Sequence, residues 1–314
     1  MTAHSVDVHQ QLADAFGDRA RRDAPLAPLT TFKVGGAADW LVDVRSEAEL
    51  RRALDIAAGG GQRVTILGGG SNVLVSDAGV RGLVIRVKPM ETVQTAPDRA
   101  RADAGLTING LVRWTISHGL AGLEAWAGTP GTVGGAIYGN AHFGGRNIGD
   151  LVATVRVISP QGDAQTRPAS EMEFGYDTSR LQRTREILLW AEFIVGAGDP
   201  AALRLTARES LAHRKSTQPL DTPSAGCIFQ NPDPRRDAVP EGIPPSAGAL
   251  VDRAGLKGSR LGAAKVSDTH ANFIVNEGGA TAADIRELVE RCKRAVRDRF
   301  GVALREEIVY LGEF

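Results

Sequence analysis

Cysteine is scarce in this chain. Two occur in 314 residues, Cys227 and Cys292. That is too few for a secreted disulfide scaffold, and they are not spaced as a metal-binding pair, so a reducing compartment is expected. No spacing of His, Cys and Asp suggests a metal site. Excess charge is missing as well. The 37 basic residues balance 37 acidic ones, which leaves no electrostatic footprint for nucleic acid or a membrane surface. No run approaches the roughly 20 apolar residues of a membrane span. Residues 1–20 carry Asp7, Asp14 and Asp18 and lack the apolar core of a secretion signal. These absences lead to the expectation of a cytoplasmic protein, monomeric, acting on small molecules.

What is present is an ordinary globular composition, 42% hydrophobic and 24% charged, at a length that calls for two or three domains. Strand-like and helix-like periodicities alternate. Ser46 with Glu49 reads as a capping box opening a helix. Residues 64–67 read as a short buried strand ending in glycine. Leu106–His118 is predicted to be helical, and Val155–Ile158 and Ile187–Val195 to be strands. Asp199-Pro200 marks a helix start, an N-cap followed by proline at the first helical position. Asn272–Asn276 and Ile308–Leu311 read as strands. Between them, Thr281–Arg299 has the apolar stripe Ile285, Leu288, Val289, Cys292 and Val296 of an amphipathic helix. The pattern is mixed α+β. Prolines crowd Gln218–Pro245, forbid a long regular element there and suggest a change of domain.

Glycine, at 37 residues, is clustered and not periodic. In Leu67-Gly-Gly-Gly-Ser-Asn-Val-Leu74 three glycines follow a strand, so backbone N–H groups can converge on an anion such as a pyrophosphate, with Ser71 and Asn72 adding side-chain donors. A plain hairpin turn reads equally well. The segment has no lysine for a Walker loop, and Val73 stands where a dinucleotide fingerprint needs glycine. Gly128-Thr-Pro-Gly-Thr-Val-Gly-Gly135, continuing to Asn140 and His142, is a second such loop. Exposed backbone beside these polar groups suits a flat, hydrogen-bonding ring system.

Taken in order, Thr31–Gly36, Gly68–Leu74, Gly128–Asn140, Ala254–Gly258, Val266-Ser267, His270–Asn276 and Ala280-Thr281 resemble the UDP-N-acetylenolpyruvoylglucosamine reductase family. The likeness runs from about Leu26 to Gly312. It implies an α+β fold with an FAD-binding unit of the vanillyl-alcohol-oxidase (PCMH) type. Two FAD-binding subdomains, residues 20–90 rejoined by 301–314 and residues 91–215, would be joined by a substrate-binding domain, residues 216–300. FAD and NADPH are the implied cofactor and hydride donor. Gly68, Gly69, Gly70, Ser71, Asn72, Thr129, Pro130, Gly131, Val133, Gly134, Gly135 and Asn140 are the implied cofactor contacts, and a nucleotide sugar is the implied substrate.

Hydride delivered to C3 of an enolpyruvyl group builds charge on C2 and its carboxylate, so such a site must stabilise an enolate and protonate C2. The resemblance assigns the proton donor to Ser224–Pro232, where Cys227 stands at a position commonly serine. A thiol is a stronger acid than an alcohol and can serve, although a lone cysteine is often a small buried hydrophobe. Glu307, by register in preference to Glu306, is the implied catalytic glutamate. The implied arginine is missing: Asp177 occupies its place in Phe174-Gly-Tyr-Asp-Thr-Ser-Arg180, and Arg180, one helical turn on, is the candidate substitute. A surface arginine is the alternative. Asn231, Tyr176, Asn272 and Lys215 are candidate substrate contacts. No tyrosine lies between Tyr176 and Tyr310, which resembles the branch of the family without an extra tyrosine-bearing loop. Another FAD-linked oxidoreductase of this fold, or a non-catalytic flavin- or nucleotide-sugar-binding protein, are the competing readings.

Overall fold

The strand Ile187–Ile194 is apolar almost throughout because it is covered on both faces. Leu188, Ala191 and Phe193 belong to one buried cluster, while Ile187 and Leu189 belong to another. This strand is the middle of an antiparallel five-stranded sheet, ordered Ala164–Pro168, Val152–Ile158, Ile187–Ile194, Arg99–Asp103, Thr92–Ala96. The protein is seen here as a computed structural model describing residues 8–89 and 91–314. Residues 1–7, part of the N-terminal stretch considered above, lie outside them.

The chain divides into two compact units. The first comprises the chain up to Ala24, Ala38–Gly69 and Arg81–Ala212, and it contains both clusters just named. One cluster packs the five-stranded sheet against the helices Ile108–Ser117 and Val133–Tyr138. The other packs the helices Val8–Phe16 and Glu47–Gly59 against a four-stranded sheet, ordered Ala20–Pro25, Ala37–Val44, Val80–Val87, Val64–Ile66. Ser46 caps its helix by accepting from Glu49 N, but the Glu49 carboxylate turns to Arg45 N and Arg19, so only half of the expected capping box forms. Val64–Ile66 is not buried as expected. It is an edge strand, paired parallel to Val80–Val87 on one side only, and Val64 and Ile66 are exposed.

The second unit comprises Pro25–Ala37, Gly70–Val80 and His213–Phe314. The change of unit falls inside the helix Pro200–Thr217, ahead of the proline-rich stretch, and residues 301–314 lie in this second unit. Its core is the stripe of the helix Ala282–Phe300, fully buried from Ile285 to Val296 against a three-stranded antiparallel sheet, Arg260–Leu261, Ala264–Val266 and Ile274–Asn276. Thr281 and Asp284 form a capping box at its start, and Asp77 accepts from Ala282 N and Ala283 N. Burial pushes the Cys292 thiol up to about 12, as suits a small apolar side chain on that stripe. Val73–Val75 pairs parallel with Val309–Leu311. Among the described residues, no helix is long and apolar enough to cross a membrane, and no group of three His, Cys, Asp or Glu side chains could hold a metal ion.

Candidate active site

In the first unit the two glycine-rich segments touch. A Cβ on Gly69 would lie 2.7 Å from Gly131 Cα, and one on Gly68 would lie 2.9 Å from Thr132 Oγ1. Gly131 itself sits at φ +99, a conformation open to glycine. Gly68 and Gly69 are exposed, and among the described residues their N–H groups donate to no protein acceptor. Side-chain-free backbone with outward donors fits an anionic group such as a pyrophosphate.

Not every residue of the second loop is available in that way. Val133 N donates to Leu106 O, Gly134 N donates to Ala104 O, and Val133 is fully buried. These two anchor the loop to the core. Gly135 N turns back to Thr132 Oγ1, and Thr129 N to Trp126 O, while Asn109 Nδ2 holds Thr129 O. Pro130 follows directly. Asn140 is 3% exposed, donates to Gly175 O at 2.7 Å and accepts from Gly149 N at 3.0 Å. Its amide is committed to the main chain, so it positions the loop.

The Asn140 bond to Gly175 is one of three ties that fasten the end of the helix Val133–Tyr138 to residues 175–182. Ser179 Oγ and Gln182 Nε2 both donate to Tyr138 O, and Gln182 also donates to Asp177 O. The ties bring Asp177 to His142, with Asp177 Oδ1 3.1 Å from His142 Nδ1. Tyr176, half-exposed, lies against the same imidazole at 5.0 Å between centroids. Arg180 is turned elsewhere. Its Nε donates to Glu186 at 2.8 Å, and Arg167 grips the other oxygen of Glu186 at 2.9 Å. Burial pushes Glu186 up, but the bonds from Arg180, Thr184 and Arg167 outweigh it and hold the carboxyl below its usual range.

In the second unit, Gly70 O accepts from Thr31 N, and Gly70 stands at φ +66 against Thr30. Ser71 is half-buried beside it. Asn72 Nδ2 donates to Glu307 O at 3.0 Å, and Asn72 O accepts from Val309 N, so Asn72 holds the closing strand. The donor segment is clamped from both sides. Asn272 accepts from Ile228 N and Phe229 N and donates to Phe229 O, while Glu307 N donates to Ile228 O. Asn272, 3% exposed, is thus a positioning residue whose amide is occupied. The pairing sets Glu307 beside the residue that follows Cys227. Glu306 is taken up by Lys293 at 2.8 Å.

Of the polar run Arg214, Lys215 and Gln218, which in sequence reads equally as a ligand contact or a solvated helix end, one residue joins here. Arg214 is 6% exposed. Burial lowers its guanidinium to about 10, and the nearby Cys227 opposes that shift. Arg214 therefore stays charged at neutral pH beside the thiol. A buried arginine on the polar helix Pro200–Thr217 carries no periodic signal, since its neighbours Lys215 and His213 are exposed. Asn231 accepts from Ala247 N at the start of the helix Ala247–Arg253. His270 Nδ1 accepts from Asn272 N, and burial lowers the imidazole, which marks it as a neutral packing residue.

Comparison with known proteins agrees with this architecture. Residues 38–166 match the FAD binding domain family. Residues 218–311 match the family described as UDP-N-acetylenolpyruvoylglucosamine reductase, C-terminal domain. A nucleotide-binding α+β unit followed by a separate C-terminal domain defines an FAD-dependent oxidoreductase with an FAD-binding fold of the vanillyl-alcohol-oxidase type. UDP-N-acetylenolpyruvoylglucosamine reductase 1 of Bacillus cereus is 36% identical over 304 residues, spanning 96% of this chain and 98% of that protein. UDP-N-acetylenolpyruvoylglucosamine reductase 2 of Symbiobacterium thermophilum is 40% identical, over 94% of this chain and 92% of its own. The crystal structure of the Thermus caldophilus enzyme superposes with a TM-score of 0.77 at 34% identity, covering 93% of this chain and 99% of that one. The chain belongs to the UDP-N-acetylenolpyruvoylglucosamine reductase family, whose members are FAD-containing reductases of peptidoglycan precursor synthesis.

Proposed function

We propose that this protein reduces UDP-N-acetylglucosamine enolpyruvate to UDP-N-acetylmuramate at the expense of NADPH, as a cytoplasmic monomer. Bound FAD would take a hydride from NADPH and supply it to C3 of the enolpyruvyl group. Gly68, Gly69, Thr129, Pro130, Gly131 and Gly135 of the first unit are the residues offered to the cofactor. The two cores of the first unit correspond to two FAD-binding subdomains, and the second unit to the substrate-binding domain.

The observation that carries the reading is the setting of Cys227. Its segment is held on one side by Asn272 and on the other by the main chain of Glu307, and its thiol lies within the field of Arg214. Cys227 donates its proton to C2. The guanidinium stabilises the thiolate left behind, as a cation beside a cysteine does. Glu307 returns the proton or holds the substrate carboxylate. Asn231, Lys215 and Tyr176 are carried over from the family resemblance as further candidate substrate contacts. Arg180 is the least favoured of the candidate catalytic groups, because its Nε is engaged by Glu186.

Anaerobic absorbance tests the reading. The flavin bands should bleach with NADPH and recover on adding the enolpyruvyl substrate. In Cys227→Ala, bleaching should be normal and recovery slower by about 10²–10⁴-fold, the contribution of a positioned general acid. Recovery at the parental rate would remove Cys227 from the mechanism.

A further inference from the structure

Two helices of the first unit line a common groove. On the helix Ile108–Ser117 the lining residues are Asn109, Val112, Arg113 and Ile116, and on the helix Pro200–Thr217 they are Arg204, Ala207, Arg208 and Leu211. Both sets fall at i, i+3, i+4 and i+7, the spacing of a single helix face. The second helix is held in place by its other residues. Leu203 joins the apolar cluster that contains Leu111 and Val112, and Ser210 Oγ donates to Ala125 O at 2.6 Å. All the lining residues belong to the first unit, and none of the residues offered to the flavin is among them.

The chemistry of the groove is one-sided. Val112 and Ile116 are buried and Leu211 is half-buried, which gives it apolar surface. Arg113, Arg204 and Arg208 stand exposed around that surface, and no carboxylate lines the groove. Among the described residues these three guanidiniums make no hydrogen bond and no ion pair. The first helix has no acid, and the single acid of the second, Glu209, does not line the groove. Arginine keeps its charge throughout the physiological range. Three such charges gathered without a counter-ion repel one another, and a bound anion relieves that repulsion. Asn109 is not a free donor here. Its Oδ1 accepts from Gly128 N at 2.7 Å and its Nδ2 donates to Thr129 O at 3.2 Å.

The groove holds about 550 Å³, inside the range of about 300–1,000 Å³ typical of small-molecule sites. The guanidinium fork matches phosphate oxygens two at a time, and its flat face stacks on aromatic rings. A ligand that uses both the charge and the apolar surface carries phosphates on a flat, weakly polar body. We propose that this groove is a binding site for a nucleoside diphosphate. Its phosphates lie on Arg113, Arg204 and Arg208, and its base lies against Val112, Ile116 and Leu211. The site is separate from the flavin cradle and does not depend on the reductase reading above.

The test is calorimetric titration of the full-length FAD-loaded protein with ADP, with adenosine and inorganic phosphate titrated separately. ADP should bind with Kd below about 1 mM, more weakly as salt rises, and at least 10-fold more tightly than either half. In Arg204→Gln and in Arg208→Gln, ADP affinity should fall at least 10-fold. These side chains are exposed, so melting temperature, FAD content and the KM for NADPH should stay at the parental values. No binding of ADP to the parent overturns the proposal, and so does binding that both variants leave unchanged, which would place ADP elsewhere on the protein. Phosphate that binds as tightly as ADP would reduce the groove to a simple anion site and refute the nucleoside part. Displacement of FAD by ADP, or a raised KM for NADPH in the variants, would make the groove part of the redox site and refute its separateness.

Discussion

The contact between Gly69 and Gly131 supports a quantitative test of the flavin cradle. In Gly69→Ala the new methyl would lie 2.7 Å from Gly131 Cα, 3.1 Å from Gly131 C and 3.3 Å from Thr132 N. All three are backbone atoms, which cannot swing aside as a side chain can, and Gly131 to Thr132 is braced by Ile108 N on Gly131 O and by the anchored Val133. The two loops must separate by several tenths of an ångström. Overpacking of this kind costs about 1–3 kcal/mol. If the loops jointly grip the cofactor, that strain appears as about 10- to 100-fold weaker FAD binding, at about 1.4 kcal/mol per tenfold. The assay is titration of apoprotein with FAD by flavin fluorescence, with thermal melting of the apoprotein alongside. Gly59→Ala is the control. It ends the helix Glu47–Gly59, its added Cβ would meet nothing within 4 Å, and it should leave FAD affinity unchanged. If Gly69→Ala binds FAD as tightly as the parent, the spacing of these loops does not set the cofactor site. A fall in melting temperature alone would assign the contact to packing only.

Two further outcomes follow from the same geometry. Asn272→Ala leaves Phe229 N and O without their partner in a buried setting, which should cost about 2–3 kcal/mol in denaturant unfolding and slow flavin recovery more than bleaching. Unchanged stability would contradict the clamp. Glu186, held below the usual carboxyl range, stabilises the fold fully above its ordinary pKa and loses that contribution as pH falls through the depressed folded value. Glu186→Gln should therefore cost about 2 kcal/mol at neutral pH and show a flatter stability profile below about pH 4.5. An unchanged acid limb would mean that Arg180 and Arg167 do not hold this carboxylate in its charged form.

Local signals in the chain were enough for much of this protein. The apolar stripe from Ile285 to Val296, the Thr281 cap and the Asp199-Pro200 start depend on neighbours within a turn or two, and each appears in the structure within a residue or two of its expected place. The glycine clusters were legible because only glycine allows backbone to approach backbone so closely. Burial was harder to read: Val64–Ile66 is as apolar as a core strand, yet its edge position, a property of the whole sheet, exposes it.

The residue types of the chemistry, and the order in which they occur, were set by the sequence itself. Which of them are available to a ligand was decided only by tertiary structure, because hydrogen bonds between residues far apart in the chain commit some polar groups and release others. Asn272 and Asn140 look like ligand contacts in sequence and are engaged by distant backbone. Arg180 looks like a displaced catalytic cation and is engaged by Glu186. Arg214 and His142 are only two polar groups among several in sequence, and folding alone sets them near Cys227 and Asp177.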